Sequence, residues 1–202
     1  MSNAVTETKS FAASGKHILR LSLSLLIIST VAALILAVVN TLTATPIAEY
    51  AAAKRQQAME SVMPGATVFS ELYAEDETII GITGAYNGTQ FKGYCVEVSP
   101  NGFGGPIRMM VGVDYGGAVT GTVILEHSET AGLGAKAKEP EFLNQYIDMS
   151  GTITVTNGSN AIDAITGATI TSKAVTNGIN TALEAVLNYN EEGGLPDDKD
   201  EV

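Results

Sequence analysis

Hydrophobic and polar residues are distributed unevenly along the 202-residue chain. Leu21 to Val39 (LSLSLLIISTVAALILAVV) runs for 19 residues without a charge, a glycine or a proline. A helix rises about 1.5 Å per residue and roughly 20 residues cross a hydrocarbon layer of about 30 Å, so residues 21–39 read as a transmembrane helix. Ser22, Ser24, Ser29 and Thr30 are tolerated there if their hydroxyls bond back to carbonyls one turn earlier. The competing reading is a cleaved signal peptide, whose apolar region usually runs about 7 to 15 residues.

After the apolar run the pattern changes. Ile47 to Met63 is rich in helix formers, carries its larger residues on one face and stops at Pro64-Gly65, which predicts a stalk helix. Thr78–Tyr86, Phe91–Ser99, Ile107–Val113 and Ala118–Leu125 are β-rich runs separated by Asn87-Gly88, Pro100-Asn101-Gly102 and Asp114-Tyr115-Gly116-Gly117. Short turns between four such runs predict an antiparallel sheet. A short helix over Glu139–Tyr146, a further strand over Thr152–Val155 and a helix over Ser172–Tyr189 follow; the last has Val175, Ile179, Leu183, Val186 and Leu187 on one face to cover the sheet. The expected fold class is α+β, an antiparallel sheet packed by helices behind one N-terminal membrane helix. The expected divisions are residues 1–20, the span at 21–39, a stalk helix and linker at 40–65, a domain at 66–190 and an acidic tail at 191–202.

Charge adds orientation and excludes one class of partner. The whole chain has 11 basic and 22 acidic residues, a net charge of −11, and lacks the basic stripe that a nucleic-acid binder needs. Lys9, Lys16 and Arg20 precede the apolar run with only Glu7 opposing them, so the positive-inside rule places the N-terminus in the cytoplasm and the remainder outside. With those four set aside, 8 basic and 21 acidic residues leave −13 on the exported part. The last twelve residues hold six acids and one lysine, a composition too polar for a packed core.

Common catalytic constellations are scarce. Cys95 is the single cysteine and His17 and His127 the two histidines, which excludes a disulfide and makes a metal centre built on histidine or cysteine improbable. Cys95 lies inside a strand run, where a buried structural thiol is the commoner role. Two segments are dense in small residues. Asp163-Ala164-Ile165-Thr166-Gly167-Ala168-Thr169-Ile170-Thr171-Ser172 sets hydroxyls and a glycine before an amphipathic helix, where unpaired N–H groups and the helix dipole suit a phosphate. The simpler alternative is that Thr171 or Ser172 caps that helix. His127-Ser128-Glu129-Thr130-Ala131-Gly132-Leu133-Gly134-Ala135-Lys136 follows a strand end, and its glycines allow a close backbone approach to a flat ligand or simply make a surface turn.

Together the two segments resemble the flavin-binding domain family typified by the G subunit of the Rnf electron-transport complex and the C subunit of the sodium-pumping NADH:quinone oxidoreductase. The family's Asp-x-x-[Ser/Thr]-Gly-Ala-Thr motif is met by Asp163, Thr166, Gly167, Ala168 and Thr169, with three residues between Asp163 and Gly167. Its Glu-Thr-Pro-Gly-Leu-Gly loop appears as Glu129 to Gly134, with Ala131 in place of proline. The resemblance implies FMN joined through a phosphoester to Thr169 by a separate flavin transferase acting on FAD, with Asp163 helping to present or recognise the motif. It implies a ring pocket in which Glu129 and Thr130 make polar contacts, Gly132 and Gly134 allow close approach and Leu133 forms an apolar wall. Lys136 could place a positive charge near the flavin or simply stay solvated. Phe103, in Gly102-Phe103-Gly104-Gly105, could add a wall, although a core aromatic in a wide hairpin is the expected role.

The implied function is that of a membrane-anchored, electron-carrying subunit of an ion-translocating ferredoxin:NAD+ oxidoreductase, a redox subunit that is not catalytically complete alone. Its expected partners are the membrane, iron-sulfur and flavin subunits of the complex, the transferase and membrane lipid, with no nucleic acid. The chain has no Gly-x-Gly-x-x-Gly dinucleotide fingerprint, no cysteine cluster and no charge inside the span, so NADH oxidation, cluster transfer and ion conduction are expected of partners. The competing function is an anchored extracytoplasmic flavin-binding sensor or assembly module outside an ion pump.

Overall fold

The computed structural model describes residues 3–74, 78–156, 158 and 160–191. The acidic tail beyond Glu191 lies outside the described residues. The chain divides into two compact units, Met1–Ala52 and Ala53–Val202.

The first unit is helical. Helix α1 (Asn3–Val62) runs without a break through the expected span and most of the expected stalk helix, and contains Pro46. A proline removes one N–H and its ring crowds the preceding turn, yet helical geometry persists on both sides. The helix from His17 is long and apolar enough to cross a membrane. Each large apolar side chain from Leu21 to Val39 is exposed, Val31 least at 50%. The hydroxyls of Ser22, Ser24, Ser29 and Thr30 donate to the carbonyls of Ile18, Leu21, Leu26 and Leu26 at 2.7 to 3.0 Å, so no hydroxyl on this stretch is left bare to an apolar surrounding.

The second unit holds a five-stranded antiparallel meander in the order β1 (Val68–Ala74), β2 (Ile79–Asn87), β3 (Gln90–Val98), β4 (Arg108–Asp114) and β5 (Val119–Glu126). The four strands expected from the sequence are present, and β1 is an addition at the edge. It pairs with one neighbour, β2. The middle strands are buried on both faces, which is why they read as continuous apolar runs. Tyr94, Val96, Val98, Met109, Val111 and Val113 face a core shared with α3 (Thr169–Glu191) through Val175, Ile179, Leu183 and Val186. Leu187, expected on that face, is 52% exposed.

The opposite face of the sheet is covered by the last turns of α1, where Ala58, Met59 and Val62 pack with Met63, Ala85, Cys95, Met110 and Leu125. These turns are therefore a layer of the domain and not a stalk outside it. Thr120 Oγ1 donates to the Val62 carbonyl at 2.5 Å, satisfying an end-of-helix acceptor.

Between β5 and α3 the chain makes a 3-10 turn (Gly134–Lys138), a short helix α2 (Pro140–Leu143) and a second 3-10 turn (Asn144–Tyr146). The expected single helix over Glu139–Tyr146 is thus split, with Phe142, Leu143 and Tyr146 buried. β6 (Thr154–Val155) pairs in parallel with β7 (Ala161–Ile162) and delivers the chain to the loop before α3.

Candidate functional site

Three separated stretches meet at the N-terminal end of α3. Phe103 from the β3–β4 connection, Glu129, Thr130, Leu133 and Gly134 from the loop after β5, and Gly167 to Thr171 line one cleft of about 370 Å³. The two sequence motifs, with 28 residues between them, therefore both contribute walls to the same site.

Thr169 is the first residue of α3, three residues earlier than the periodicity of the helix indicates. The Ala168 carbonyl accepts the Ser172 N–H at 3.0 Å, so Ala168 occupies the cap position. The hydroxyls expected to cap are engaged elsewhere. Thr171 Oγ1 donates to Glu129 Oε2 at 2.7 Å, while Ser172 Oγ donates to the Ala168 carbonyl at 3.0 Å and accepts the Ile165 N–H at 2.9 Å. The first-turn N–H groups of α3, those of Thr169, Ile170 and Thr171, have no acceptor within the helix. Thr169 is exposed, and among the described residues its hydroxyl has no hydrogen-bond partner.

The walls are apolar and uncovered. Phe103 is 69% exposed, Leu133 45% and Ile170 56%, three large apolar side chains open to solvent around one cleft. Phe103 is thus a wall residue and not the core aromatic expected of a wide hairpin. Glu129 is buried, with both carboxylate oxygens engaged: Oε2 by Thr171 and Oε1 by the Gly104 N–H at 2.9 Å. Its role as a polar contact is therefore directed first to the protein. Gly134 is required by packing, since a Cβ there would meet Glu129 Oε2 and Thr171 Oγ1. Gly132 differs: a Cβ would meet open space, and its φ of 77° is what calls for glycine.

Other candidate residues lie apart from this cleft. Lys136, Asp163 and Thr166 line an adjoining depression of about 490 Å³ with Glu139, Glu141, Phe142 and Gln145. Asp163 is exposed; its N–H donates to Gln145 Oε1 at 2.8 Å and its carbonyl accepts from Gln145 Nε2 at 3.4 Å. Among the described residues its carboxylate caps nothing. Cys95 is buried beneath α1, and burial pushes its thiol up to about 12, against a partial downward pull from Arg55. It plays no part in the cleft.

The site fits FMN by the chemistry of its walls. A phosphate at Thr169 would lie at the positive end of α3 beside unpaired N–H groups, and a flat ring would cover apolar surface that is otherwise wet. Phe103 is the wall residue that the motifs do not identify; the signal available is a bulky aromatic set among glycines.

Residues 102–184 match the model of the FMN-binding domain family. The chain is 35% identical over 196 residues to the G subunit of the Na+-translocating ferredoxin:NAD+ oxidoreductase complex of Acetobacterium woodii, covering 86% of this chain and 93% of that protein. It is 31% identical over 180 residues to the G subunit of the ion-translocating oxidoreductase complex of Methanosarcina acetivorans, covering 85% and 95%. Among solved structures, the C subunit of the Na+-translocating NADH-quinone reductase from Parabacteroides distasonis aligns with 24% identity and a TM-score of 0.46 over 54% of this chain and 61% of that one. The near full-length identity to proteins of one kind places the chain in the G-subunit family of the Rnf ion-translocating oxidoreductase complexes, as a member that carries an FMN-binding domain.

Proposed function

We propose that the chain is the electron-carrying subunit of a membrane-bound Rnf complex that couples ferredoxin and NAD+ chemistry to ion movement, and that Thr169 Oγ1 holds FMN through a phosphoester bond. The observation that carries this reading is the free hydroxyl of Thr169, at the first turn of α3, within a cleft walled by exposed Phe103, Leu133 and Ile170. When bound, the flavin supplies the ability to take up and pass on electrons.

The residues divide the work. Thr169 retains the cofactor, so holding it outside the cell does not depend on affinity. The N–H groups at the start of α3 receive the phosphate charge, and Phe103, Leu133 and Ile170 exclude water from the ring. A threonine hydroxyl is a weak nucleophile at neutral pH, and the acid on this cleft, Glu129, is committed to Thr171 and Gly104. A flavin transferase therefore makes the attachment from FAD: its own base takes the threonine proton, the oxygen bonds to the FMN-side phosphorus, and the pyrophosphate bond breaks to release AMP. α1 anchors the chain in lipid, and Lys9, Lys16 and Arg20 keep its N-terminus in the cytoplasm, which sets the flavin domain outside. The other subunits supply the NAD+ site, the clusters and the ion path.

The test is the full chain co-expressed with a flavin transferase, denatured and run on a gel. A fluorescent band, an FMN mass increment on the Thr169 peptide and loss of both in Thr169→Val are expected. Labelling that survives Thr169→Val sinks the assignment.

A further inference from the structure

Glu129 joins all three stretches that wall the cleft. Its carboxylate accepts Thr171 Oγ1 from the first turn of α3 at 2.7 Å and the Gly104 N–H from the Phe103 hairpin at 2.9 Å, and its own N–H donates to His127 Nδ1 at 3.2 Å. The surroundings are shaped to this side chain. A Cβ at Gly102 would strike Glu129 Oε1, one at Gly104 would strike the Ser128 carbonyl, and one at Gly134 would strike Glu129 Oε2 and Thr171 Oγ1. Glu129 is 9% exposed, and among the described residues no lysine or arginine pairs with it. A buried acid with two neutral donors and no cation is a costly arrangement if its only purpose is to fasten a loop.

We propose that Glu129 is a positioning residue for the flavin: it latches the Phe103 hairpin to the first turn of α3, so that wall and attachment point form one rigid frame, and its carboxylate holds negative charge against the cleft. The latch needs both donors. Charge beside the ring opposes electron uptake, so Glu129 holds the flavin potential down. This deepens the assignment of FMN to Thr169 and rests on it for the second effect only.

The experiment separates frame from charge in the full chain in detergent. In flavin-free protein, hydrogen exchange at the Gly104 amide is expected to quicken about tenfold in Glu129→Ala and also in Thr171→Val, which lies on a different segment. Glu129→Gln keeps an acceptor for Gly104 and removes the charge; it is expected to leave that exchange near wild type. In flavin-loaded protein the same Gln variant is expected to raise the midpoint potential, while Thr171→Val alters the flavin's induced circular dichroism. Unchanged Gly104 exchange in Thr171→Val overturns the latch, and an unmoved potential in Glu129→Gln overturns the charge effect. If Glu129→Ala does not fold, these two variants still decide. Wild-type protein that remains colourless after co-expression counts against Thr169 as the attachment point, and the exchange measurement still judges the latch.

Discussion

Arg55 Nε donates to Glu97 Oε2 at 2.9 Å, tying the end of α1 to the centre of the sheet. Glu97 is 1% exposed and receives a second cation at its other oxygen, from Arg108 Nε at 2.6 Å. Arg55 reaches further, to Thr83 Oγ1 at 3.3 Å and to exposed Glu71 at 3.2 Å. A buried carboxylate placed between two guanidiniums is strongly destabilising when left half-paired.

Replacing Arg55 by Met is therefore expected to destabilise the domain by up to about 3 kcal/mol, less than a fully orphaned buried charge because Arg108 remains. Exposed Glu71 contributes little, so Glu71→Gln should cost under about 1 kcal/mol. Thermal unfolding of the full chain in detergent, followed by near-ultraviolet circular dichroism, measures both. Equal effects from the two substitutions contradict the assignment.

Asp163 offers a contrast between stability and maturation. Its backbone is held by Gln145, whereas the residue itself is exposed and lines the depression beside the cleft at the start of α3. Asp163→Asn preserves the backbone bonds and is expected to change stability by no more than about 0.5 kcal/mol. Flavin attachment is expected to fall several-fold, because that carboxylate is what an incoming transferase can read. In-gel flavin fluorescence, normalised to protein, reports the outcome; full labelling of Asp163→Asn removes the carboxylate from the attachment step.

The core predicts its own alkaline limit. Burial pushes the Cys95 thiol from 9.0 up to about 12. Burial likewise lifts the Tyr94 and Tyr146 hydroxyls from 10.0 to about 12, with neighbouring tyrosines adding to the first and a bond to Thr176 opposing the second. In each case the unfolded chain loses its proton at lower pH than the folded one. The stability from these groups is fully present below about pH 9 and is lost as pH rises toward 12. The unfolding temperature should fall across that interval, and Cys95→Ala should flatten its onset around pH 9, where the tyrosines have barely begun to titrate. A slope unaffected by Cys95→Ala would show that the thiol is not the first group to titrate.

The sequence by itself determined the long apolar helix, the four strands of the sheet and the helix that covers it, because each rests on a local period and on turn residues within a few positions. It also picked out the two motif segments, residues of which line one cleft. Three things were decided only by the tertiary structure. The last turns of α1 became the second cover of the sheet through Arg55, Met59 and Val62, whose partners lie on strands far along the chain. Thr171 gives its hydroxyl to Glu129 instead of capping its own helix, since a buried acceptor on another segment is within reach. Phe103 is turned out to wall the cleft because Gly104, next to it, is held by that same carboxylate. Periodicity reports which face of an element is apolar. It is silent on hydrogen bonds between residues distant in sequence, and those bonds assemble this site.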